Sequence, residues 1–490
     1  MRKIVDRIKQ GKYKEYILLS IILILGVVVR LYKIGNPIAD WHSWRQADTA
    51  SVSKVFVQKG IDLLHPRYHD ISSIQTGIFN PQGYRMVEFP IYNAIHVVLV
   101  RSLPSISLEV WGRLISIASA TVSAIFLFLI GRRYMGIWGG VLASFFFMFL
   151  PYNIYFTRVI LPEPMATTFA LGSVWFFIKF IDNERSWMLY LSGLLLAVSL
   201  LIKPFTLFYT LPLIYLALEK YGWKGILANT KRLVPFMIFV NIVLVPFLLW
   251  RGWISGFPEG IPFFTWAFNG DRIRFRPAFW RWLFAERIGK LLLGVWGLVP
   301  FSLGILSTKK KDLFNLLFFL GGVLYMTTVA TANVRHDYYQ IFIIPMLVLP
   351  LAKGTIYLWK SKTFSHWISR PLAVFSILMM LMLGAYQAKE YYKVNHPEII
   401  EAGKAVDRLT PKDSIVIAPY NGDTAFLYQT GRWGWPAIDD SIDRIIEKGA
   451  DYYVSVNIGD TDTQMIIKRF KTLERTSSYV IADLHQPIKP

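Results

Sequence analysis

The sequence predicts a polytopic α-helical membrane protein of about eleven transmembrane helices, followed by a small extracytoplasmic α/β domain at the C-terminal end. Three observations predict it. Of the 490 residues, 54% are hydrophobic and 16% aromatic, with a mean hydropathy of +0.40. This composition excludes a disordered chain, a disulfide scaffold and an ordinary soluble enzyme. Long apolar stretches recur along most of the chain, separated by short basic turns. Beyond Gln387 the composition becomes that of a soluble protein. Cysteine is absent, so disulfides and thiolate metal sites do not enter, and the redox compartment stays open.

A bilayer core about 30 Å thick needs roughly 20 mostly apolar helical residues, fewer where flanking side chains snorkel. The stretches that qualify lie near Tyr16–Leu31, Leu114–Ile130, Gly139–Phe156, Met165–Ile181, Trp187–Ile202, Phe205–Leu218, Val234–Trp250, Ile288–Leu306, Leu313–Thr331, Tyr339–Leu351 and Pro371–Tyr386. The N-terminal run leads directly into WHSWRQAD without a small-residue cleavage site, so it reads as a span and not as a removed signal.

Orientation follows from the short loops, because Lys and Arg are retained on the cytoplasmic side. The first fourteen residues contain six of them. Counting from a cytoplasmic start, the inner loops hold Arg132 and Arg133, then Arg185, then Lys220, Lys224, Lys231 and Arg232, then Lys309–Lys311, then Lys353, Lys360, Lys362 and Arg370. One missed span would invert every later loop. Glu88–Leu103 is apolar but short; counting it as a span would put Arg132 and Arg133 outside, so it reads as a helix in the outer interface. Large outer segments remain at about 32–113 and 251–287, both within a membrane domain of residues 1–387.

Residues 388–490 form the second domain. Ile399, Ala402, Val406 and Leu409 recur at helical spacing, SIVIA and DYYVSV read as strands, and SIDRIIEKG reads as a helix closed by Gly449. Alternating helix and strand signals imply an α/β layer. It has no phosphate-loop glycine pattern, so acceptor contact or support is its expected part.

The candidate chemistry lies in the outer loops. Asp40 and Asp48 follow the first span, with His42, Trp41 and Trp44 beside them; a partly buried acid there suits a general base for a hydroxyl acceptor. Asp48 is also well placed to cap a helix beginning at Thr49. Glu163, in LPEPM, is fixed between two prolines just above the bilayer, and Glu88 is a third acid at similar depth. Ion pairing with Arg158 and Arg85 is the structural alternative for these acids. Lys203 ends the apolar run LLLAVSLLIKPF, where a lysine is costly without snorkelling or an anionic partner such as a lipid phosphate. Arg272, Arg274 and Arg276 break the inside-positive pattern; in an extended segment they would share one face, and their forks suit phosphate oxygens or anionic headgroups. His336, beside Arg335, is a candidate for sugar or phosphate contact, while aromatic-belt placement accounts for Tyr338 and Tyr339. Location excludes nucleic acid as a partner.

These segments, in order, carry a resemblance. ADTASVSKVFVQKG, EFPIYNAI, RLISIASA with GRRYMG, TRVILPEP, LLIKPFTLF, the arginine loop ending in FWRW, and RHDYYQIFIIP together resemble the GT-C glycosyltransferases. These multi-span enzymes use polyprenyl-phosphate sugars, and the likeness is to the protein O-mannosyltransferases, the lipid A aminoarabinose transferase and related bacterial core-sugar transferases. It covers roughly residues 15–350. It implies a single displacement with inversion at the anomeric carbon. In that mechanism Asp48 and Glu163 are catalytic, Lys203 with Arg272, Arg274 and Arg276 binds the donor phosphate, and Arg158, His336 and Tyr338 contact substrate. The family's acidic pair is Asp-Glu, where this chain has Asp48-Thr49. Glu88 matches a metal-contacting glutamate, making a divalent metal possible, but the partner histidine has no counterpart, since no histidine occurs between His96 and His336. The implied partners are the lipid-linked donor, membrane lipids and a lipid, glycan or protein acceptor. A transporter or flippase of polyprenyl-linked glycans is the competing class; it would place charge near the midplane and often repeats internally. An inactive scaffold presenting the tail is a third.

Overall fold

The structure, a computed structural model, describes residues 13–270, 272–308 and 313–488. Most of the basic N-terminal start and Lys309–Lys311 lie outside the described residues. The described chain divides into two compact units, one within Met1–Ile34, Arg113–Leu249 and Phe264–Glu390, the other within Gly35–Gly112, Trp250–Phe263 and Tyr391–Pro490.

The first unit is helical. Each apolar stretch singled out in the sequence is helical over most of its length. Leu108–Phe149, Glu163–Asn183, Thr230–Ile254, Asp337–Lys360 and His366–Tyr392 are long and apolar enough to cross a membrane, and Ser186–Ile202 and Leu313–Thr328 are shorter apolar helices. Gly136, at φ 72° and ψ −171°, breaks Leu108–Phe149 into two runs, a conformation that costs least at glycine. The basic turns gather acids around them: Arg132 pairs with Glu15 at 2.7 Å, Arg133 with Asp182 at 2.8 Å and Lys220 with Glu184 at 3.0 Å. These pairs put the first helix's start and three helix turns at one end of the bundle.

Glu163–Asn183 and Ser186–Ile202 form an antiparallel hairpin, turned by Glu184 in the left-handed region at φ 56°. Small polar residues let the two backbones approach. Ser192 Oγ donates to Ser173 O at 2.8 Å, and Ser199 Oγ to Ala166 O at 2.7 Å. Elsewhere Leu298–Leu306 meets Ile344–Lys360 at Gly304 and Gly354; a Cβ on Gly354 would lie 1.6 Å from Pro300 O.

The second unit carries a five-stranded sheet in the order β2-β1-β3-β5-β4. Its strands are β1 (Ile415–Ile417), β2 (Trp433–Trp435), β3 (Tyr452–Ser455), β4 (Phe470–Arg475) and β5 (Val480–Pro487). β1 pairs in parallel with β2 and β3, and β5 runs antiparallel to β3 and β4. The expected helices appear as Glu398–Leu409 and Ile442–Glu447, the latter capped by Ser441, whose side chain accepts from Arg444 N. The division differs from the sequence reading in one respect. Residues 35–112 and 250–263 belong with the tail, because the loop after the first helix builds into the same core. Asp70 forms a parallel bridge with Gly434, Ile71 packs with Ile417, Trp435 and Tyr453, and Phe79 stacks on Trp435 with ring centroids 6.2 Å apart.

Candidate active site

In the first unit, Glu163 is the first residue of its helix, preceded by Pro162 and followed by Pro164. Proline at the first turn removes an amide that has no intrahelical acceptor anyway, so the entry is rigid without loss. Lys203 is the C-cap of the return helix. An antiparallel hairpin brings these two ends together: Lys203 Nζ lies 3.1 Å from Glu163 Oε1, with side chains 10% and 1% exposed. The carboxylate sits at a helix N-terminus and the ammonium at a C-terminus, both favoured by the helix dipoles. The structure thus joins two of the residues singled out in the sequence, forty positions apart.

Arg158 is fully buried and donates from Nη2 to Lys33 O at 2.6 Å; Arg113, also buried, donates from Nη1 to Ile34 O at 2.6 Å. Together they grip the chain as it leaves the first helix. Arg30, buried at that helix's end, donates from Nε to Thr157 Oγ1 at 2.8 Å. Sequence reasoning named Arg158 and missed Arg30 and Arg113; an arginine closing an apolar run was the available signal. It also passed over the ion pair of Arg287 with Asp337, both buried. Next to Asp337, Tyr338 is buried and half-buried His336 meets the Trp266 ring edge-on at 5.6 Å.

The arginine loop is not extended. Arg272 is left-handed at φ 51°, and Ile273–Phe275 forms a 3-10 turn, so Arg272, Arg274 and Arg276 do not share a face by strand alternation. Arg272 and Arg276 are exposed, while half-buried Arg274 donates from Nη2 to Thr328 O at 3.3 Å.

In the second unit, the helix after the first long turn begins at Ser43, so Asp48 lies inside it and is not its cap. Its side chain has no exposed surface. Oδ2 takes the Arg85 guanidinium at 2.7 Å and Oδ1 accepts from Thr424 Oγ1 at 2.7 Å. The adjoining cavity, lined by Asp48, Ser51, His69, Asp70, Thr424 and Tyr428 among others, has a volume of about 10 Å³, room for one water and no sugar. Asp48 ties its helix to Arg85 and to the helix that carries Thr424.

Asp40 stands differently. It lies in the irregular turn between Arg30 and Ser43, next to His42, which is left-handed at φ 53°. A non-glycine residue in that region costs on the order of 1–3 kcal/mol and persists only where its surroundings impose it. Asp40 is buried, and its Oδ1 accepts from Gln46 Nε2 at 2.7 Å, which orients the carboxylate. The neighbouring Arg45 forms an ion pair with Glu88. That guanidinium takes the place a cation would occupy beside Glu88, and among the described residues no group of three His, Asp or Glu side chains is arranged to hold a metal. The residues present therefore do not fit a metal centre at Glu88.

Burial shifts the acids around Asp48. Asp70, whose Oδ2 accepts from Tyr68 Oη at 3.3 Å, is pushed up to about 7 by loss of solvent, with the Asp48 charge adding to it. Asp423 is pushed up to about 6, again by burial first. His69 is pushed down to about 3 by burial and stays neutral, its Nδ1 against Ser51 Oγ.

A family model described as dolichyl-phosphate-mannose-protein mannosyltransferase matches residues 105–250. Among solved structures, ArnT from Cupriavidus metallidurans bound to undecaprenyl phosphate is similar over 96% of this chain and 98% of its own, with TM-score 0.67 and 12% identity. The fold is the GT-C fold. The oligosaccharyltransferase AglB from Archaeoglobus fulgidus, in complex with an inhibitory peptide and a dolichol-phosphate, is similar over 97% of this chain and 76% of its own, with TM-score 0.59 and 9% identity. The arabinofuranosyltransferase AftD from Mycobacteria is matched over 95% of this chain and 41% of its own, with TM-score 0.56 and 13% identity. No curated protein matches the sequence. A GT-C fold with these apolar helices makes the chain a multi-pass membrane protein.

Proposed function

We propose that this chain is an inverting glycosyltransferase that moves a sugar from a polyprenyl-phosphate donor to a lipid, glycan or protein acceptor on the outer side of the plasma membrane, its N-terminus cytoplasmic. The observation that carries the reading is Lys203. It is a buried cation held by Glu163 at a helix end, in a fold shared along nearly its whole length with a protein solved with undecaprenyl phosphate bound. In the displacement, the acceptor oxygen bonds to the anomeric carbon while the bond from that carbon to the phosphate oxygen breaks, and the electron pair leaves with the polyprenyl phosphate. The phosphate gains charge as that bond opens, so a fixed cation in a low-dielectric setting lowers the barrier. Lys203 takes this part, Glu163 holds it in place, and Arg272, Arg274 and Arg276 add positive charge at the headgroup level. Asp40 accepts the proton of the acceptor hydroxyl, with Gln46 orienting it. Arg158, His336 and Tyr338 contact the substrate.

The test is transfer of labelled sugar from synthetic undecaprenyl-phosphate sugars to envelope acceptors by the purified protein. Asp40→Asn should lose about 10²–10⁴-fold in turnover, the usual worth of a positioned base. Wild-type turnover in that variant would remove Asp40 from the role, and absence of transfer by the wild type from any such donor would end the reading as a whole.

A further inference from the structure

The turn that carries Asp40 has no regular secondary structure between Leu31 and Ser43, and it contains the left-handed His42. Its position must be imposed by other parts of the chain. Within the second unit, the tail supplies partners on both sides of Asp40. Asn36 Nδ2 donates to Tyr392 O at 3.2 Å, and Gln429 Nε2 donates to Ile38 O at 3.0 Å. Trp41 N donates to Tyr391 O at 3.2 Å, and the Trp41 and Tyr391 rings stack with centroids 5.3 Å apart and planes at 20°. Thr424 Oγ1 lies 3.2 Å from Trp44 O and 2.7 Å from Asp48 Oδ1, the shorter being the main donation. Asp40 is thus bracketed on both sides, at Ile38 and at Trp41–Trp44.

Gln429 and Thr424 belong to one short helix, Thr424–Thr430, whose start is capped by Asp423 accepting from Ala425 N at 2.7 Å and whose end is closed by left-handed Gly431. This helix packs against both Glu398–Leu409 and Ser43–Lys59, so it links the tail to the loop helix. We propose that the tail domain is a brace for the base: Gln429, Thr424 and Tyr391 are positioning residues that fix the backbone on either side of Asp40. The proposal rests on Asp40 as the base. Its physical content is geometric, since misplacing a reacting group by about 1 Å costs on the order of 10²-fold in rate.

The test uses the full-length protein in detergent. Gln429→Ala and Thr424→Val together should lower kcat tenfold or more and leave KM for the undecaprenyl-phosphate sugar unchanged, because neither residue touches the donor. Amide hydrogen exchange over residues 38–44 should speed up in the same variant, and Thr424→Ser, which keeps the donor, should restore most of the rate. Arg408→Ala, which removes an exposed ion pair with Glu474 elsewhere on the tail, should leave turnover unchanged. The brace is overturned if the double variant keeps kcat within twofold, or if Thr424→Ser loses as much as Thr424→Val. Asp40→Asn separates the two ideas. An inactive Asp40→Asn beside a normal double variant rejects the brace alone, whereas a fully active Asp40→Asn rejects the base and with it the brace's purpose.

Discussion

A carboxylate can act as a base only if its lone pairs are open to the proton it must take. Asp48 gives one oxygen to Arg85 and the other to Thr424 inside the second unit, and Asp40 takes the side-chain amide of Gln46 on one oxygen. The charge on Asp48 also acts on Asp70. Buried with its carboxyl raised to about 7, Asp70 binds a proton more tightly folded than unfolded. Its folded pKa lies above the unfolded value, so stability is greatest below the ordinary carboxylate range and falls as pH rises toward about 7, levelling above it. Asp423 contributes the same slope only up to about 6. Between pH 6 and 8 the loss therefore belongs to Asp70, roughly 1 kcal/mol by linkage. Asp70→Asn should flatten the fall of melting temperature across that interval and roughly halve the fall below pH 6, where Asp423 alone then contributes; an unchanged slope would place the titration elsewhere.

At the level of elements, the hairpin Glu163–Asn183 and Ser186–Ile202 holds opposite charges at its open end. Breaking a buried pair from one side leaves an uncompensated charge, typically 3–5 kcal/mol, while replacing both partners is far milder. Lys203→Met should therefore melt much earlier than wild type, and Glu163→Gln combined with Lys203→Met should recover most of that loss. Sugar transfer should stay absent in both, because the cation proposed for the departing phosphate is gone. A double variant that regained both stability and transfer would make the pair purely structural. The helices themselves were legible, since apolar runs punctuated by basic turns follow from the bilayer's thickness and the retention of cations. The pairing of Glu163 with Lys203 was not, because it depends on two helix lengths and a turn at Glu184. The face shared by Arg272, Arg274 and Arg276 was misread because the left-handed residue at Arg272 ends any strand alternation.

For the molecule as a whole, the second unit is assembled from three separated stretches of chain. The sequence showed the tail's strands at Ile415–Ile417 and Tyr452–Ser455 through β-branched and aromatic runs. It did not show that the loop after the first helix completes the same core, for Ile71 and Phe79 look like ordinary loop hydrophobics until Trp435 and Tyr453 are placed beside them. The same separation hid the partners of Asp48, since Thr424 lies 376 positions away. A chain cut after Glu390 tests this assembly. It loses the bridge of Asp70 to Gly434 and the cover over Ile71, a fully buried isoleucine being worth about 1.5–3 kcal/mol on its own. The membrane helices keep the Glu163–Lys203 pair, which lies wholly within the first unit. Limited proteolysis of membranes, read by mass spectrometry, should find new cleavage within residues 43–96 while the 163–203 hairpin remains protected, and sugar transfer should be lost. A truncated chain with a protease-resistant first loop and normal transfer would show that the loop folds without the tail.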